Sequence, residues 1–308
     1  TGMLANLLIE AGASPTVIVG SIMKDFGSNY VPDTSDLFVV EACEYKAHIL
    51  ELSPDVLVIT NLEWDHTDYF PSLAAVQESF KKVVAKVPPE GVVVTNPSHP
   101  NIAPVLIATR ARVVDYTQEA ARDLQLPGTF NVENARAAAS AARAVLPGLS
   151  DEVIERALTG FQGTWRRFEY KGKTEKGAFV YDDYAHHPTA IRETLKALRA
   201  RSERAIYVAF HPHLYSRTRD LFEDFATAFA GADKVFIAPS YAAREKNDGP
   251  VSSEKLAERI RAHGVDARAA SFEEIEEAFR SEPAEGDAVM TMGAGDIYKV
   301  ADKLVRKT

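Results

Sequence analysis

The chain has 308 residues, 46% of them hydrophobic and 26% charged, with a formal net charge of -9. This is the composition of a folded globular protein, long enough for two domains at roughly 150 residues each, and its acidity argues against non-specific binding to nucleic acid or anionic membrane. A single cysteine, Cys43, excludes an intrachain disulfide, and no apolar run nears the roughly 20 residues that span a bilayer. The expectation is a cytoplasmic chain without a leader segment or membrane insertion.

The first residues already carry a helical pattern, with Leu4, Leu7, Leu8 and Ala11 on one face. No cap precedes it, so the reading expects a helix whose preceding strand and loop are missing. Strands are predicted over Thr16–Gly20, Leu37–Glu41, Val56–Thr60 and Gly91–Thr95, and helices over Leu73–Val84, Val132–Ala144 and from a Ser150 cap through Leu158. This part is expected to be a parallel or mixed sheet with crossover helices. Beyond Gly163 the alternation restarts with strands over Arg167–Tyr170 and Ala178–Tyr181 and a helix from Pro188. Strand Ala205–Phe210, helix Thr218–Phe229, strand Lys234–Ala238 and helix Ser253–His263 follow. Strand Ala267–Ala270, helix Glu273–Arg280, strand Ala288–Met292 and helix Ile297–Val305 end the series. The fold class is therefore α/β in two domains, 1–163 and 164–308, the second Rossmann-like and doubly wound.

Chemistry collects where strands end. Asp182-Asp183-Tyr184-Ala185-His186-His187 puts acids and imidazoles at one strand-to-helix junction, where open α/β sheets place ligands. His211-Pro212-His213-Leu214-Tyr215-Ser216-Arg217 loads a second junction, and Gly293-Ala294-Gly295-Asp296 a third. In the first domain Glu41-Ala42-Cys43-Glu44 and Asn61 to Asp68 follow two strands taken as neighbours. Glu41 and His66 would then emerge at one edge and suit Mg²⁺, which leans on waters and phosphates; simple helix capping is the bland alternative. Asn131 and Asn134, three apart at a helix start, could present paired amides or merely cap. Of Arg166 and Arg167, adjacent on an extended segment, at most one faces a given site.

In chain order the sequence carries Glu-Ala-x-Glu at 41–44, Asn-x-Glu-x-Asp-His-x-Asp at 61–68, Asn-x-x-Asn at 131–134 and Arg-Arg-Phe at 166–168. Asp-Asp-Tyr-Ala-His-His-Pro at 182–188, Pro-His-x-Tyr-Ser-Arg-Thr at 212–218 and Gly-Ala-Gly-Asp-Ile at 293–297 follow. This ordered set, covering essentially the whole chain, resembles the Mur ligases of peptidoglycan synthesis. Within that family it looks most like members joining L-alanine to UDP-N-acetylmuramate, and next most like those recycling a murein tripeptide onto the same acceptor. The resemblance implies a central ATP-binding domain followed by a Rossmann-like amino-acid domain, with ATP and Mg²⁺ as cofactors. It implies an acyl phosphate on the muramyl carboxylate, attacked by the amine.

By the same resemblance Glu41 and His66 would hold Mg²⁺, and Asn131, Asn134, Arg167 and Asp183 would contact ATP, the second domain closing over it. Tyr184, His186, His213 and Arg217 would meet the amino acid and the carboxylate. Glu41, His66, Arg167, His186, His213 and Arg217 form the expected catalytic set. The family's Gly-Lys-Thr phosphate loop is not in the sequence; Thr1 would be its last residue or the one beyond. A chain lacking that loop and the UDP-binding domain is expected not to turn over alone. Cys43 stands where the family usually has Asp and Phe130 where His is common; Tyr45-Lys46 departs from the acidic pattern of the alanine-adding members, and a tyrosine there is seen in the tripeptide-recycling ones. A non-catalytic nucleotide-binding module stays an alternative; a nicotinamide oxidoreductase lacks its Gly-x-Gly-x-x-Gly turn.

Overall fold

The structure, a computed structural model, describes residues 1–246 and 251–305. The chain divides into two compact units, Thr1–Trp165 and Arg166–Thr308.

The first unit runs α1 (Gly2–Glu10), β1 (Thr16–Met23), β2 (Ser28–Val31), β3 (Phe38–Val40), a 3-10 segment (Tyr45–Glu51), β4 (Val56–Ile59), α2 (Leu73–Val84) and β5 (Val92–Thr95). It ends with α3 (Ala103–Leu106), β6 (Arg112–Asp115), a short 3-10 turn (Tyr116–Gln118), α4 (Thr129–Val145) and α5 (Asp151–Gly160). β4, β5 and β6 form a parallel sheet in the order β4-β5-β6. The central strand, Val-Val-Val-Thr, is buried throughout, as expected of a strand covered on both faces. Its Val93 joins a cluster with Val76 and Val83 of α2, while Val92 and Val94 join Ala137 and Ala141 of α4. α2 starts where the Ser72 hydroxyl accepts from the Ala75 N–H, and Lys81 and Lys82 favour its C-terminal end.

A single sheet was expected here, and the structure corrects that. Among the described residues, β2-β1-β3 is a separate sheet, β1 running antiparallel to β2 and parallel to β3. The cause is visible in β1, where Val17, Val19 and Met23 are buried while Ile18, Gly20 and Ile22 face outward. That alternation belongs to a sheet packed on one face only. Glu41 therefore follows β3 in one sheet and His66 follows β4 in the other, so the two strands are not the neighbours that the sequence reading assumed.

The second unit runs β7 (Glu169–Lys173), β8 (Phe179–Asp183), α6 (Pro188–Arg199), β9 (Ile206–Phe210), α7 (Tyr215–Asp220), α8 (Phe222–Ala228) and β10 (Lys234–Ile237). α9 (Ser253–Ala262), β11 (Asp266–Ala269), α10 (Phe272–Ser281), β12 (Ala288–Met292) and α11 (Tyr298–Leu304) complete it. Its sheet has the order β11-β10-β9-β12-β8-β7, parallel except for the edge strand β7. Helices cover both faces. Ala209 and Val289 pack with Phe279 of α10 and Val300 of α11, while Phe210, pointing the other way, meets Phe225 and Phe229.

One helix was expected over Thr218–Phe229; α7 and α8 break at Leu221 (φ -111°, ψ 26°). Arg217, Leu221, Phe225 and Phe229 are all buried. At a spacing of four, an unbroken helix turns each successive side chain by a further ~40°, so a break re-aims the series inward.

The chain leaves β8, skips one position to β9, works outward to β11, and returns to insert β12 between β9 and β8. That is the topological switch point, where crevices open at the carboxyl ends of the strands.

Candidate active site

In the second unit the three loaded junctions follow β8, β9 and β12, which lie side by side in matched register: Met292 pairs with Asp183 on one side and Phe210 on the other. The strand ends are stitched level. The His211 N–H donates to the Met292 carbonyl (2.9 Å) and the Gly293 N–H to the Asp183 carbonyl (3.1 Å).

Arg166 holds this corner together. Only 2% exposed, its guanidinium donates to Asp182 (2.7 Å), Gly295 O (3.0 Å) and Gly293 O (2.6 Å), between the rings of Tyr184 and Tyr298. Burial holds the Asp182 carboxyl above its usual range, against the opposing pull of the Arg166 hydrogen bond. Arg167, the arginine that sequence reasoning chose, is exposed, with its guanidinium over the Tyr184 ring. The segment is a turn and not the extended strand that the sequence reading assumed, with Arg166 and Phe168 both buried and both at positive φ.

Asp183, expected at the nucleotide, has a backbone N–H on each carboxylate oxygen. It accepts from the Phe168 N–H (2.6 Å) and the Ala185 N–H (2.7 Å). Burial pushes its carboxyl up to about 6, against the pull of the Arg167 charge.

The structure brings Tyr184, His186, His213 and Arg217 together. His186 meets the Tyr184 ring edge-on (5.3 Å) and lies 6.2 Å from His213, and Arg217, itself buried, reaches the His213 Nδ1 (3.1 Å) and carbonyl (3.2 Å). An arginine can only donate, so neutral His213 keeps its lone pair on Nδ1 and its proton on Nε2. His186 is the reverse: its Nδ1 lies 3.0 Å from the Tyr184 carbonyl, an acceptor, which puts its lone pair on Nε2. One imidazole thus offers a donor and the other an acceptor. Sequence reasoning missed Tyr241, which stacks on His213, and Glu245, which binds the Ser216 hydroxyl and N–H.

Backbone strain gathers at the same places. Arg166 (φ 58°), Phe168 (φ 46°) and Leu214 (φ 71°) occupy the left-handed region, as does His66 (φ 50°) in the first unit. Each costs about 1–3 kcal/mol unless its surroundings hold it, and such residues cluster at functional sites.

In the first unit His66 pairs with Glu44, not visibly with Glu41: His66 Nε2 lies 3.1 Å from Glu44 Oε1. The bond to His66 holds the Glu44 carboxyl below its usual range. Tyr45 packs on the His66 ring (5.0 Å) and donates to Asp68 (3.2 Å). With Nε2 donating, neutral His66 presents a lone pair on Nδ1, a buried atom without a hydrogen-bond partner among the described residues. The Glu41 carboxylate lies against Gly20. Asn131 and Asn134 are not presented as a pair. Asn131 is buried, its amide donating to the Pro127 carbonyl (2.7 Å), while Asn134 is exposed.

Two family models match the chain, "Mur ligase middle domain" over residues 21–125 and "Mur ligase, glutamate ligase domain" over 166–295. A UDP-N-acetylmuramate–L-alanine ligase of Clostridium acetobutylicum is 36% identical, over 100% of this chain and 73% of the relative. The chain belongs to the Mur ligase family. A ligase of the same name from Desulfitobacterium hafniense is 37% identical over 99% of this chain and 74% of its own length. The crystal structure of a UDP-N-acetylmuramate–alanine ligase from Thermotoga maritima matches with a TM-score of 0.77 and 25% identity, covering 98% of this chain and 71% of that one.

The two family models fall in separate units of this Mur ligase, one in each. The donor types of Glu41 and His66, a carboxylate oxygen and an imidazole nitrogen, are compatible with a magnesium ion. His66 Nδ1 is a buried atom lacking a hydrogen-bond partner, and Glu41 is exposed with no side-chain partner among the described residues. Mg²⁺ takes few protein ligands and completes its shell with water and phosphate oxygens. No helix among the described residues is long and apolar enough to cross a membrane.

Proposed function

We propose that this Mur ligase joins L-alanine to UDP-N-acetylmuramate in peptidoglycan synthesis, at the expense of ATP. The γ-phosphoryl of ATP passes to the muramyl carboxylate with release of ADP; the alanine amine then attacks the acyl carbon, loses a proton, and inorganic phosphate leaves. Glu41 and His66 would hold Mg²⁺, which supplies charge neutralisation for the transferring phosphoryl. Asn131, Asn134, Arg167 and Asp183 are the nucleotide contacts, and Asp183 also braces the turn that carries Tyr184 and His186. Arg217 and the His213 Nε2–H offer positive charge and a donor to a carboxylate, and the His186 Nε2 lone pair is placed to accept the proton from the amine. A reducing compartment holding ATP, the cytoplasm, suits a chain with one cysteine.

The observation that carries the reading is the meeting of His186, His213 and Arg217 at the carboxyl ends of adjacent parallel strands, with the full-length likeness to ligases of that name in support. Phosphate release by the full-length protein, given ATP, Mg²⁺ and UDP-N-acetylmuramate, tests it by adding alanine, serine, glycine or murein tripeptide in turn. Release with alanine is the expected result. Release with tripeptide alone would replace alanine as the substrate, and no release with any amine would leave a nucleotide-binding module.

A further inference from the structure

Gly20 stands at an outward-facing position in the middle of β1, with no positive φ to require a glycine. Glycine is a poor strand residue, so its presence there calls for a reason of space. A Cβ built on Gly20 would lie 2.5 Å from Glu41 Oε1 and 3.3 Å from the Glu41 carboxyl carbon, and nothing else comes within 4 Å. The bare strand is therefore a shelf on which one carboxylate rests. The shelf is set by register: Ile18 pairs with Val40 in the parallel β1–β3 ladder, and the Glu41 N–H donates to the Ile18 carbonyl (2.9 Å). Glu41 leaves the end of β3 and crosses the neighbouring strand two residues further on. Among the described residues no side chain bonds to its oxygens, and a side chain at position 20 would take the space that the carboxylate occupies.

We propose that Gly20 is a positioning residue for the metal site, acting through Glu41: the missing side chain leaves room for the carboxylate against β1, from where it would hold the cation. This rests on the reading of Glu41 as a magnesium ligand. Gly20→Ala introduces one methyl on an open strand face, where the only group that must move is the end of a flexible side chain. The fold is thus expected to survive while the carboxylate is displaced.

The test uses the full-length protein and Mn²⁺ alone, with binding read by electron paramagnetic resonance and folding by melting temperature. Gly20→Ala is expected to weaken Mn²⁺ about tenfold at an unchanged melting temperature, Glu41→Gln to weaken it at least as much, and the double variant to lose nothing beyond Glu41→Gln, as expected of two residues acting through one group. Raised Mg²⁺ demand in phosphate release, at unchanged kcat under saturating Mg²⁺, is the matching kinetic result. Unchanged Mn²⁺ affinity in Gly20→Ala beside a weakened Glu41→Gln would overturn the role of Gly20, and so would a further loss in the double variant. Glu41→Gln without effect, or no Mn²⁺ binding by the parent protein, would instead remove the ligand reading beneath it. Should Gly20→Ala melt early, Gly20→Ala with Glu41→Asp decides, because the shorter acid clears the methyl and must restore Mn²⁺ binding.

Discussion

Arg166 and Asp182 form an ion pair at 2.7 Å with side chains 3% and 1% exposed, and the same guanidinium anchors the carbonyls of Gly293 and Gly295. Removing one partner of such a pair strands the other charge in a low-dielectric interior, which costs about 3–5 kcal/mol. Arg166→Met should therefore lower unfolding free energy in urea by that amount. Arg166→Met with Asp182→Leu should recover much of the loss. If the double variant is no better than the single, the pair's role is to organise the loops and not to satisfy Asp182.

Asp183 and His211 set opposite pH slopes in one unit. Asp183, pushed up to about 6 by burial against the charge of Arg167, binds its proton more tightly folded than unfolded. It therefore favours the folded state at low pH, and that contribution is lost as pH rises from about 4 through 6, at about 1.4 kcal/mol per unit. His211, pushed down to about 4 by burial, stays neutral when folded; its contribution is present above the ordinary imidazole range and lost as pH falls toward 4. Unfolding at a series of pH values should show Asp183→Asn steepening the acid-side loss and His211→Phe flattening it. Parallel curves for all three proteins would contradict both assignments.

The doubly wound unit was legible because its signals were redundant. Continuous apolar runs such as Val289 to Met292, fully buried in β12, alternate with amphipathic segments, and handedness and short connections leave few topologies. The three loaded junctions were legible for the same reason, since a polar cluster after an apolar run marks a strand's carboxyl end. Strand neighbours were not legible. Ser28 to Val31 is half polar and pairs with β1 through a register shift, so nothing in its composition announced a second sheet. The division of labour between Arg166 and Arg167 was hidden too, because both residues are equally able to bind phosphate and only the buried Asp182 decides which turns inward. Glu44 escaped notice for a similar reason: its partner His66 arrives from a different sheet.

Gly293 and Gly295 both press on His211 but with different consequences. A Cβ at 293 would lie 2.6 Å from the His211 carbonyl, on a backbone at φ 134°, whereas one at 295 would meet the His211 ring at 2.5 Å. The first neighbour is backbone and cannot yield. Gly293→Ala should cost about 3 kcal/mol or more, combining strain with overpacking. Gly295→Ala should be partly rescued by His211→Ser, with a coupling of about 0.5–3 kcal/mol in a double-mutant cycle, while Gly293→Ala should not. Equal rescue of both would mean that the loop shifts as a body.

Arg217 offers the sharpest test of the amine and carboxylate subsite. Its Nη1 reaches both Nδ1 and the carbonyl of His213, which fixes the imidazole tautomer while the planar fork keeps further donors in fixed directions. Lysine preserves the charge but replaces that fork with a single rotating ammonium. If Arg217 only neutralises charge, Arg217→Lys should leave phosphate release nearly intact. If it orients His213 and the carboxylate together, kcat/KM should fall about a hundredfold, the penalty typical of a displacement near 1 Å at a reacting centre. The orienting role further requires that His213→Ala, which removes the Nε2–H, adds little to the Arg217→Lys loss, because residues that act as a unit are not additive. Steady-state kinetics on both single variants and the double separate these outcomes, and full additivity would place the two side chains in independent roles.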